Sequence, residues 1–153
     1  MLDGMLSIHS SQALEHRSAS STRGSSSSLK IVALLLLGGW LLHSGDHLRR
    51  GIEVLTPEVF WAGSVSGAIA LAVIALVLAG HRLGPALAVT VGFGLAIGVS
   101  VVHLLPHWSA LSDSLPDGRV DVFTWAAVLC EIAAALAFGV SGVLAMRRRP
   151  SQA

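Results

Sequence analysis

Residues 31–51, IVALLLLGGWLLHSGDHLRRG, start as a membrane helix and finish as a polar cluster. The apolar run from Ile31 to Leu42 holds twelve residues, which at a rise of ~1.5 Å each cover roughly 18 Å of a ~30 Å hydrocarbon core. It is too short to cross alone, so the segment HSGDH must complete the span inside the membrane. His43, Asp46, His47 and Arg50 recur at i, i+3, i+4 and i+7, which puts them on one helix face where an antiparallel neighbour can meet them.

The rest of the chain agrees with a membrane solvent. Hydrophobic residues make up 53% and charged residues 12% of the 153 positions, and the mean hydropathy is +0.72. That leaves too little polar surface for a soluble domain of this length. A formal net charge of +1 gives no reason to expect a nucleic acid as partner. One cysteine, Cys130, excludes an intramolecular disulfide or a CxxC redox pair. Arginine predominates over lysine, and alanine, glycine, leucine and valine abound; this composition suits a bacterial, high-GC source.

Residues 1–28 are polar and serine-rich without apolar periodicity, as expected of a disordered tail. Four apolar segments follow over 29–149, at about 29–48, 61–80, 83–105 and 123–146, each near the ~20 residues that span a bilayer. They predict an all-α integral membrane protein built as a four-transmembrane-helix antiparallel bundle. GHRLGP, with Gly80, Gly84 and Pro85, supplies a tight stop and start between the second and third spans. A cleaved signal peptide is the rival for the first segment, but LLHSGD lacks a small residue two positions before any suitable cut.

Basic residues set the expected orientation. Arg17, Arg23, Lys30, Arg82, Arg147, Arg148 and Arg149 fall on one side, against Arg49, Arg50 and Arg119 on the other, so the positive-inside rule puts both termini in the cytoplasm of a plasma-membrane protein. Most of the acids then lie outside, with Phe60, Trp61, Trp108, Phe123 and Trp125 as an interfacial aromatic belt.

Counting residues from the cytoplasmic basic groups gives depth. His43 lies roughly 20 Å and His47 roughly 25 Å from Lys30, Glu131 roughly 24 Å from Arg147, and His103 roughly 31 Å from Arg82. All fall in the outer third. Pro106 disfavours helix at Leu105, leaving His103 on the last turn and His107 in the loop, free to fold back over the bundle end.

An ionisable group such as Glu131 within a span costs at least ~2.5–3.5 kcal/mol and must face protein or water. His43, Asp46, His47, His103, His107 and Glu131 are therefore the candidate ligands of a metal site opening to the outer face, with Glu131 or Asp46 as the candidate catalytic, proton-handling base. An i, i+4 histidine pair can bind one ion through both imidazoles, and nitrogen and oxygen ligands suit zinc, iron, copper or manganese. Haem b, which would pair His47 with His103, fits less well because the cluster is rich in carboxylates.

Two other roles use the same residues. A network of histidine–carboxylate bonds could simply pin the helices, though such bonds average roughly 0.6 kcal/mol in membrane proteins, a small return for so many costly groups. Glu131 could instead serve a proton or ligand pathway. The small-residue pairs Gly63/Gly67 and Gly94/Gly98 raise a third role, an accessory or assembly subunit docking on a larger membrane complex or on copies of itself, with lipid as the remaining partner. His9 and His16 in the tail and His81 in the turn are not site candidates. No GxSxG elbow accompanies Ser112 or Ser114, so a serine hydrolase is not expected.

Overall fold

The computed structural model describes residues 27–148; the predicted disordered tail, apart from Ser27 and Ser28, and Arg17, Arg23 and Arg149 lie outside them. Among the described residues there is no strand, and four helices are long and apolar enough to cross a membrane: α1 (Ser27–Arg50), α2 (Pro57–Leu78), α3 (Gly84–Leu104) and α4 (Val122–Arg147). A short 3₁₀ turn, Ile52–Val54, joins α1 to α2.

α1 runs unbroken through Gly38, Gly39 and Gly45 to Arg50, so HSGDH does finish the helix. Each later boundary has a local cause. α2 starts at Pro57 rather than near residue 61, because Pro57 takes the first helical position, where no N–H is needed, and the Thr56 hydroxyl accepts the Val59 N–H. It ends on Gly80, whose φ of 74° lets Gly80 N–H reach Val77 O and His81 N–H reach Leu76 O, closing a Schellman turn. α3 stops at Leu104 because Leu105, extended at ψ 151°, precedes Pro106. At the start of α4 the Asp121 carboxylate accepts the Thr124 N–H.

Leu36, Ala70, Ala88, Ala135 and Phe138 form the centre of the core, all nearly or wholly inaccessible. Around it the surface is apolar: Ile31, Leu34, Leu35, Val65 and Ile97 are each more than half exposed. Such a skin is untenable in water over this area and is the surface a multi-pass protein turns to lipid.

Glycines set the closest helix approaches, at positions other than the expected pairs. A Cβ added to Gly92 on α3 would lie 2.8 Å from the Ala135 carbonyl oxygen and the Gly139 Cα on α4, and one on Gly142 would lie 2.6 Å from the Pro85 carbonyl oxygen. On α1, Gly39 faces the backbone of Glu131 at 3.1 Å. Gly67 lies under the Trp40 indole, while Gly63, Gly94 and Gly98 meet nothing within 4 Å. The reason is geometric: close backbone approach leaves no room for a side chain, and Gly63, Gly94 and Gly98 border open space.

Candidate metal centre

α1 and α3 end, and α2 and α4 begin, at the same end of the bundle, and there three imidazoles converge. His43 and His47 come from one face of α1 and His103 from the last turn of α3. One ring nitrogen from each lies within 4.8 Å of the other two. Ring centroids are 4.7 Å apart for His43–His47 and for His43–His103, and 5.7 Å for His47–His103. His43 and His103 are buried and His47 is partly buried.

Every Nδ1 of the trio has a protein partner. His43 Nδ1 bonds the Glu131 carboxylate of α4. His103 Nδ1 donates to the Asp113 backbone carbonyl at 3.1 Å. His47 Nδ1 lies 2.9 Å from Arg50 Nη2. Tautomers follow from these partners. Because a carboxylate and a carbonyl only accept, the first two rings carry their proton on Nδ1 and present an Nε2 lone pair. Arginine only donates, so neutral His47 carries its proton on Nε2. For His47 to join its neighbours as a ligand, Arg50 must release Nδ1, which can then donate to the Asp113 carboxylate 3.9 Å away. The buried Nε2 of His43 has no hydrogen-bond partner among the described residues.

The other sequence candidates part company here. Asp46, wholly buried, pairs with Arg49 at 2.7 Å and with Arg50 at 3.1 Å, not with the imidazoles. Arg49 continues to Asp121 at 2.9 Å, tying α1 to the start of α4. Asp121 is held below the ordinary aspartate value of 3.8, first by the Thr124 N–H and then by Arg49. His107 is exposed, and its backbone N–H donates to the Asp117 carboxylate, which this bond and Ser114 hold below 3.8.

Asp113 fills the place that His107 was expected to reach. Beyond Pro106 the loop returns over α3, with Asp113 N–H on Val102 O at 3.0 Å and Leu115 N–H on His103 O at 2.9 Å, anchored by buried Leu115. These bonds satisfy carbonyls that the end of α3 leaves open. They also set the Asp113 carboxylate 2.9 Å from Arg50 and 3.4 Å from His103 Nδ1. The signal in the sequence was the SDSLPDG turn after Pro106, whose return path depends on the α3 carbonyls together with the Ser112 and Asp117 side chains that accept loop N–H groups.

Compared with protein-family models, curated proteins and solved structures, the chain matches none.

Proposed function

We propose that the protein is a multi-pass plasma-membrane protein, both termini cytoplasmic, that holds one divalent transition-metal ion on His43, His47 and His103 near its outer face. The observation that carries this is the convergence of three ring nitrogens with an accepting partner at the Nδ1 of His43 and of His103; His47 joins them when Arg50 releases its Nδ1. Metal-ligating histidines nearly always have such second partners, which fix the tautomer and the ring orientation. Glu131 is the orienting carboxylate for His43, Asp113 orients His103 and can take over His47, and Asp46 balances Arg49 and Arg50 at the rim.

Zinc, iron and copper all accept three imidazoles. Three protein ligands leave a further coordination position, the pattern of catalytic rather than structural sites. An ion held there would act as a Lewis acid or electron carrier.

Metal content of the detergent-purified protein, measured by inductively coupled plasma mass spectrometry, tests the proposal against a His43→Ala, His103→Ala double variant prepared identically. Near-stoichiometric metal that disappears in the variant is the expected result. Equal metal in both, including after incubation with zinc, iron or copper, overturns it.

A further inference from the structure

Below the histidines lies a cavity of about 560 Å³ bordered by α1, α2 and α3, with Glu131 of α4 at its head. His43, His47, His103 and Glu131 occupy one end. Along α3 the lining continues from His103 to Val91, twelve residues or roughly 18 Å. A space of that volume and length takes one extended hydrocarbon chain.

Glycine makes the slot. Gly63 of α2 and Gly94 and Gly98 of α3 all line it, and each has open space where a Cβ would stand. Its rim is apolar and outward-facing: Leu48, Ile52, Phe60 and Ile69 line the cavity yet remain between 41% and 72% exposed. Leu48, Phe60 and Ile69 stand on helices of membrane length, where that rim meets lipid, while Ile52 belongs to the 3₁₀ turn beside them. The polar end narrows the choice of head group. Glu131 is the one charged residue in the lining, which contains no lysine or arginine. A carboxylate or phosphate head would therefore meet an anion with no side-chain cation to offset it. An uncharged hydroxyl suits the site, because its oxygen can take the further position on an ion or its O–H can donate to the otherwise unpartnered Nε2 of the 93%-buried His43.

We infer that the slot binds a single-chain, uncharged amphiphile from the membrane, a long-chain alcohol, with its hydroxyl at the three histidines and its chain along Gly63, Gly94 and Gly98. The contact between oxygen and metal rests on the proposed metal centre; the slot and the hydroxyl's bond to His43 Nε2 do not.

The test uses the full-length protein in phosphatidylcholine nanodiscs and a hexadecanol carrying a mid-chain diazirine, with cross-links mapped by mass spectrometry. The matching acid and the headless alkane are the comparison probes, and metal is assayed on the same samples. The alcohol is expected to label α2 and α3 inside the slot, well above both comparison probes. A Gly94→Leu, Gly98→Leu variant, whose new side chains enter open space, is expected to keep its metal and lose the labelling. Slot labelling that persists in this variant, or that is as strong with the acid or alkane, overturns the inference while leaving the metal centre standing. Alcohol-selective labelling blocked by the variant in a protein without metal upholds the slot and removes the metal reading. If neither metal nor alcohol binds, both are overturned.

Discussion

Glu131 is 2% exposed and has the His43 ring as its polar partner. Its value lies in what it does to that ring. A carboxylate on Nδ1 fixes the proton there and leaves Nε2 as a ligand, and changes to such outer partners typically cost 10–100-fold in metal affinity. We expect Glu131→Gln to weaken metal binding by roughly that factor while His43→Ala abolishes it, as read by competition against a chromogenic chelator. Unchanged affinity in Glu131→Gln would show that the carboxylate does not orient the ligand. The shared level of these groups was legible from residue counting, which puts His43, His47, His103 and Glu131 all in the outer third of the membrane. Asp113 was not, because it reaches His103 through its backbone carbonyl, and every residue type offers that group equally.

On α2 and α3 the helix contacts were legible in kind but only partly in place. Small residues do bring α3 and α4 together, yet the close approach is made by Gly92 with Gly139 and by Gly142 with Pro85, none of which falls in the i, i+4 pairs that the sequence draws attention to. Spacing identifies a face; it does not say whether a helix or a void stands opposite. The two kinds of glycine should separate cleanly on mutation. Gly92→Leu forces side-chain atoms into the α4 backbone, and overpacking of this sort costs about 1–3 kcal/mol or more, whereas Gly94→Leu enters open space. Thermal unfolding in detergent should show a clear loss of melting temperature for Gly92→Leu and little change for Gly94→Leu. Equal losses would mean that Gly94 also packs against a helix, and the slot would not exist in solution.

For the molecule as a whole, the bilayer decides which surface is which. Four crossings return the chain to its starting side, so one fact, the location of the loop between α3 and α4, fixes both termini and the side on which the histidines lie. Its end of the bundle carries Arg49, Arg50 and Arg119 against Lys30, Arg82, Arg147 and Arg148 among the described residues at the opposite end, a small excess that favours retaining the latter group in the cytoplasm. Cys130 is exposed on α4 among apolar residues, within reach of lipid rather than water. In a Cys130→Ala background, Arg119→Cys should react with a membrane-impermeant maleimide on intact cells, and Arg148→Cys only after lysis. The native Cys130 should ignore that reagent and react with a membrane-permeant one. Labelling of Arg148→Cys in intact cells with protection of Arg119→Cys would invert the bundle, and the histidines would then draw their metal from the cytoplasm. Since the slot opens towards lipid from within the membrane, its apolar ligand would be unaffected by that inversion, so the topology measurement bears on the source of the ion and not on the source of the chain that lies beneath it.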